Sequence, residues 1–443
     1  MHSPASAILG FHSPSGAPGE PASKLRNSPM TVTTELTALE GSSAVVQSGR
    51  PVYRWVILLF AWACYLMSSV DRFAWSSLSL QAQPELGLPL AQLATFVTAY
   101  FAGYVASNCI SGVMTDRLGP RLCLGAAVIG TGIFTVGFGF THSYWAGLAL
   151  QCGMGFATGA DYAACIKIVA GWFEREERGR ALGIWFTATS LGVVTANSLA
   201  LPLASVLNWR GAYIGLGAVT ISVGLLSLAF LRDGPSCTER KTEPLRIRAL
   251  LRNRNLVLVS MAGFCALWGT WGFVFSANAL MVKGAGMTQA AAAAVVATFG
   301  VGGFIAKPLI GAISDWLGAR RKWPAIACLA GFVTMLIVFA LIRNESWFFV
   351  AGPLLGVAAF VYSPMLAALV AEAVPRDSTG TASGLSNALW QLAGVVVPVA
   401  VGYAFSQSQS FTVPFVVLAL GPFLGILCLL AVKEKAPSSR QDV

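Results

Sequence analysis

Charge is scarce in this 443-residue chain: Asp, Glu, Lys and Arg together make up 11% of it, against about a quarter in a soluble domain. Histidine is scarcer still. The three present, His2, His12 and His142, all lie outside the long apolar runs, which excludes a histidine relay within them. Nine cysteines occur without a C-x-x-C pair, and eight sit inside or at the edge of apolar runs, where they act as small packed hydrophobes. No disulfide framework and no metal site is expected. The chain has no G-x-x-x-x-G-K-[ST] loop, so ATP-driven pumping within it is excluded. No His-based or paired-carboxylate constellation points to an enzyme, and no cofactor is expected.

What is abundant is apolar sequence. Hydrophobic residues make up 56% of the chain and mean hydropathy is +0.68. Runs near the ~20 residues that cross a bilayer cover about 55–80, 90–112, 122–141, 145–172, 179–204, 210–231, 256–281, 288–312, 324–342, 347–373, 379–405 and 411–432. Twelve such runs predict an all-α membrane protein. The first is too long for a signal peptide and has no cleavage pattern behind it. Residues 1–52, rich in Ser, Pro, Gly and Thr, read as a disordered tail, with Met30 an alternative start.

One signature occurs twice, 199 residues apart. Gly112-x-x-x-Asp116-Arg117-x-Gly119-x-Arg121 returns as Gly311-x-x-x-Asp315-x-x-Gly318-x-Arg320. A charged turn repeated at matched places implies two related six-helix halves: residues 53–231 and 255–432, joined by a basic loop at 232–254 and followed by a tail at 433–443. That is the layout of a secondary transporter. The basic residues orient it. Counting Arg117, Arg121, Arg175, Arg178, Arg180, Arg232, Arg240, Lys241, Arg246, Arg248, Arg252, Arg254, Arg320, Arg321, Lys322 and Arg376, the loops on one side hold sixteen, against Arg210, Lys283 and Arg343 on the other. The positive-inside rule then puts both termini in the cytoplasm. Topology accounts for the net charge of +10, and no nucleic-acid partner is needed.

The paired G-x-x-x-D-R-x-G-x-R signature, the twelve runs and the central basic loop resemble the major facilitator superfamily over about residues 53–433. Three segments narrow the resemblance to its anion:cation symporter branch: Asp71 to Leu80, Trp172-Phe173 with Glu177 to Ala181, and Gly380 to Gly384 with Asn387 and Pro398 to Gly402. The resemblance implies two halves about a pseudo-twofold axis along the membrane normal, one central site, an organic-anion substrate, an inner (plasma) membrane location and a monomer. The branch's helix-four carboxylate falls at Thr158, which cannot ionise, and Asp161 one turn away is the candidate to replace it. The Gly/Pro-rich fifth-helix motif of drug:proton antiporters is absent after Gly192.

An ionisable residue inside a span costs roughly 2.5–3.5 kcal/mol, so each requires a reason. Asp71 and Arg72 lie roughly 25 Å along their helix from Arg54, too deep to snorkel. The planar Arg72 fork suits a carboxylate, with Asp71 and Asp161 as the protonation or cation sites. A structural ion pair between Arg72 and Asp161 is the competing account. Lys167, Lys307 and Glu372 lie near span ends and are expected in interfacial or gate contacts. Tyr104, Tyr162, Asn278, Asn387 and Gln391 are the polar and aromatic candidates for substrate contact. Gly112, Asp116, Arg117, Gly119, Arg121, Asp315 and Arg320 are expected to form gating machinery, with Arg117 and Arg121 pairing with Glu174, Glu176 or Glu177. The expected activity is secondary transport of a small organic anion, a carboxylate or sugar acid, by alternating access with proton (or other cation) symport. An anion exchanger of the oxalate/formate type and a transporter-like membrane sensor remain open.

Overall fold

The computed structural model describes residues 52–173, 175–234, 250–316, 321–374 and 379–433. The tails and most of the central basic loop, like Gly318 and Arg320 of the repeated signature, lie outside the described residues. Among those described, the structure is helical throughout. The helices are α1 (Tyr53–Leu86), α2 (Leu90–Leu118), α3 (Pro120–Gly139) and α4 (Tyr144–Trp172). One continuous stretch, Arg175–Phe230, breaks at Asn208 (φ 57°) into α5 (175–207) and α6 (209–230). They are followed by α7 (Arg254–Ala285), α8 (Gln289–Trp316), α9 (Lys322–Leu341), α10 (Glu345–Glu372), α11 (Thr379–Ser408) and α12 (Thr412–Leu430).

Local chemistry sets the boundaries. Asn208 turns the chain with its own amide, which accepts the Gly211 N–H at 3.0 Å. The Asn253 side chain caps α7 by accepting the Leu256 N–H, and Gly286 ends that helix in the left-handed region. Two sequence expectations change. The run at 347–373 is one span with a break at Tyr362, because Pro364 has no N–H to donate and its ring crowds the preceding turn. The repeated signature is also less a turn than a helix end. α2 continues to Leu118, so Gly112, Asp116 and Arg117 are helical, and only Gly119 (φ +85°) makes the turn before Pro120 starts α3. Likewise Gly311 and Asp315 lie within α8.

The two halves repeat one packing plan. α1 lies on α5 and α6, α2 on α4, and α3 on α4 and α6. In the second half α7 lies on α11 and α12, α8 on α10, and α9 on α10 and α12. The correspondence extends to single residues. A Cβ on Gly155 (α4) would strike the Tyr100 carbonyl on α2, and one on Gly356 (α10) would strike the Phe299 carbonyl on α8. Tyr100 and Phe299 stand 199 residues apart, the offset of the repeated signature. Bare glycine lets each helix pair touch backbone to backbone. The halves meet through α2 with α11, α5 with α8, and α1 with α7. α1 begins and α12 ends at one face of the bundle, the terminal end, where Asn255 donates to the Lys433 carbonyl at 2.8 Å. The opposite face is the distal end.

Candidate functional site

Arg72 is buried near the middle of α1 and its guanidinium turns toward α2. Nε donates to the Tyr100 hydroxyl at 2.8 Å, and the charge lies 4.9 Å from the centre of the Tyr104 ring and 5.5 Å from that of Tyr100. Rings stabilise a desolvated cation by about 2 kcal/mol, which holds the group without neutralising it. Nη2 has no hydrogen-bond partner, and neither has the Tyr104 hydroxyl.

Asp161 on α4 is fully buried, and both carboxylate oxygens are without a hydrogen bond. Arg72 is the cation that acts on it, and the Ser68 hydroxyl lies beside it, itself unpartnered. The competing account, a structural ion pair between Arg72 and Asp161, finds no hydrogen bond between the two groups. Tyr162 is partly buried, its ring 5.7 Å from Trp185 and 6.3 Å from Phe186. A cation, an acid and two hydroxyls thus sit in one buried neighbourhood with bonding capacity unused. Unsatisfied buried polar groups are costly, and an anionic ligand with hydroxyls would use all of them.

Asp71 does not share this space. One residue before Arg72, it points about 100° away into the interior of the first half. Its Oδ2 accepts from Thr135 of α3 at 3.1 Å, Thr220 of α6 lies beside it, and Oδ1 is unpartnered. Gln151 Nε2 and the Tyr213 hydroxyl are also buried and unpartnered. The adjacent pair in sequence thus divides between two compartments.

Two predicted contact residues are already engaged. The Asn278 amide on α7 donates to the Ser76 carbonyl and hydroxyl and to Asn197 Oδ1 at 2.8–3.0 Å. Ser77 donates to the same Asn197 oxygen, Ser76 to the Val274 carbonyl, and Gln289 to the Ser77 carbonyl. This network ties α1, α5, α7 and α8 together on the distal side of Arg72. Gln391 accepts from the Trp271 indole at 3.0 Å, and Trp271 packs on Phe73 next to Arg72. Asn387 is half-buried on α11. Sequence reasoning passed over Ser68, Ser76, Ser77 and Asn197. Their signal was present, since small polar residues on both sides of Asp71-Arg72 interrupt an apolar run.

At the terminal end, Arg121 holds α3 to α6. Its guanidinium donates to the Leu228 carbonyl (3.1 and 2.5 Å) and its backbone N–H to Asp233 (3.0 Å). Glu177 pairs with Arg54 at 2.6 Å instead of with Arg117, which is exposed, or Arg121. Lys167 donates to the Thr115 carbonyl, and Glu372 lies 3.5 Å from Arg321. The side chains of Asp116 and Asp315 are outside what is described.

A family model described as Major Facilitator Superfamily matches residues 61–398. The chain is 26% identical over 387 residues to the probable sulfoacetate transporter SauU of Cupriavidus necator, covering 82% of this chain and 89% of that protein. It is 23% identical over 421 residues to the probable L-galactonate transporter of Escherichia coli K12, covering 87% and 90%. Among solved structures, a bacterial homolog of the human lysosomal transporter Spinster, inward-facing and unoccupied, superposes with a TM-score of 0.67 at 16% identity. That match covers 86% of this chain and 95% of the other.

Proposed function

The chain belongs to the Major Facilitator Superfamily, and from that premise we propose that it is a proton-coupled symporter of a small organic anion, a carboxylate or sugar acid, working by alternating access. It is a multi-pass membrane transporter and not an enzyme. The observation that carries the substrate class is the buried Arg72, whose free Nη2 lies in one neighbourhood with the unpaired oxygens of Asp161 and the unpaired hydroxyls of Tyr104 and Ser68. The names of the two relatives, for sulfoacetate and L-galactonate, are both of organic anions.

In this reading Arg72 binds the substrate's acidic group in a planar fork, and Tyr104, Tyr162, Gln391 and Asn387 present rings and amides to the rest of it. Asp161 takes the coupling proton. While ionised it competes with substrate for Arg72, and protonation releases the guanidinium. Asp71 is the second protonation site, reaching the first through α1. The Asn278–Ser76–Asn197 network acts as the distal gate in this reading, joining α1, α5 and α7. The gating role falls to Gly112, Asp116, Arg117, Gly119, Arg121, Asp315 and Arg320 as the halves rock. The site lies within one chain, consistent with a monomer in the plasma membrane, both termini cytoplasmic.

The test is uptake by proteoliposomes under an inward proton gradient, with wild type, Arg72→Gln and Asp161→Asn. Gradient-driven accumulation of an organic acid, lost in both variants, is the expected result. Transport only against a preloaded internal anion, indifferent to pH and to Asp161→Asn, would make the protein an exchanger instead.

A further inference from the structure

Lys307 is the one basic residue inside the apolar runs of the second half. It belongs to α8 but reaches across to the first half, where Nζ donates to the Phe186 carbonyl of α5 at 3.0 Å. The ammonium also lies 4.5 Å from the centre of the Phe360 ring on α10. No ion pair among the described residues includes it. A cation inside a span without a counter-anion is costly, and a carbonyl with a ring offsets only part of that cost. One turn along α5, the Ser190 hydroxyl is fully buried and unpartnered. It lies against Gly303, one turn before Lys307. Lysine and serine thus both lie at the seam where α5, α8 and α10 meet.

That place adjoins the Arg72 site. Phe186 touches Tyr162, the residue after Asp161. Its neighbour Trp185 stacks at 4.3 Å on Tyr65 of α1, seven residues before Arg72, or about 10 Å along the helix. The two cations therefore flank one region from opposite halves, Arg72 facing Asp161 and Lys307 with no ion pair among the described residues.

We propose that Lys307, assisted by Ser190, is the second anion contact of the site, so that the substrate carries two acidic groups: a dicarboxylate, or a carboxylate bearing a sulfonate. This rests on the organic-anion reading above and narrows it. One acidic group takes the Arg72 fork and the other the Lys307 ammonium, and the dianion bridges the halves. Such a bridge supplies a differential contact, stronger when the halves close on the substrate.

The experiment compares galactonate with galactarate, the same six-carbon skeleton with one carboxylate or two. Uptake is measured in proteoliposomes with wild type, Lys307→Gln, Lys307→Arg and Ser190→Ala. The expected result is a KM ratio, galactarate over galactonate, raised about tenfold by Lys307→Gln, restored by Lys307→Arg and raised about threefold by Ser190→Ala. Ser190→Ala keeps the charge and serves as the test should Lys307→Gln fail to fold. An unchanged ratio in the folded variants, or a wild type that carries galactonate alone, overturns this inference and leaves the organic-anion reading intact. A wild type that carries neither of these acids, nor sulfoacetate, removes both.

Discussion

Arg72→Lys separates charge from geometry at the centre of the site. The native guanidinium donates Nε to Tyr100 and lies over Tyr104, with Nη2 left for a ligand. A lysine retains the positive charge facing Asp161 but replaces the planar fork with one point charge. The loss at the substrate is one charge-assisted hydrogen bond, worth about 1.5–3 kcal/mol, or roughly a 10- to 150-fold rise in Kd. Folding should change little, because Asp161 still faces a cation. Arg72→Gln behaves differently. It strands a buried carboxylate, and breaking a buried pair from one side costs about 3–5 kcal/mol of stability, which Arg72→Gln with Asp161→Asn should largely return. The assay is equilibrium binding of a transported acid to purified protein, with thermal unfolding of all three variants in the same detergent. Arg72→Lys binding within twofold of wild type would remove Arg72 from the substrate. A double variant no more stable than Arg72→Gln would show that Asp161 is not balanced against it.

Asn278→Ala removes three neutral hydrogen bonds from the distal network, each worth about 0.5–1.5 kcal/mol. It should raise labelling of a cysteine placed at the buried Ser79, outside the network, by an impermeant maleimide, and unchanged labelling would mean the network is not a gate. Gly155→Ala and Gly356→Ala each drive a Cβ into a facing carbonyl and should cost about 1–3 kcal/mol each, read as similar drops in unfolding temperature. A large drop in only one would refute the matched crossings. Gly119→Ala forces a side chain to φ +85° at a cost of about 1–3 kcal/mol, and brings its Cβ to 3.2 Å from an Asp233 oxygen. An unfolding temperature equal to wild type would contradict that. Asp71→Asn retains the Thr135 contact but not the charge. Gradient-driven uptake should fall while exchange of internal for external substrate persists, and equal loss of both would place Asp71 in substrate binding or folding instead.

Much of this protein was legible before any coordinates. Twelve runs near the length of a bilayer leave few alternatives to a helical bundle, because a backbone in lipid has to satisfy its own hydrogen bonds. The duplicated signature announced two halves, and the structure carries its 199-residue offset into Tyr100 and Phe299, whose carbonyls face Gly155 and Gly356. Arg72 and Asp161 could be singled out by type alone, since a charge in an apolar run is costly wherever it points.

Direction and partnership were decided by tertiary structure. Asp71 and Arg72 are neighbours in sequence, yet one faces Thr135 inside the first half and the other faces Tyr100. Asn278 looked free to bind substrate until its amide met Ser76 and Asn197, residues 202 and 81 positions away. Lys307 looked like a snorkelling residue until its ammonium met Phe186 and Phe360, with no ion pair among the described residues. The physical reason is the range of the forces. Burial in lipid acts on each residue type one helix at a time, so composition and spacing determine the spans. A hydrogen bond acts within about 3 Å, so which polar groups are satisfied and which are left for a ligand depends on how distant helices come to lie against one another.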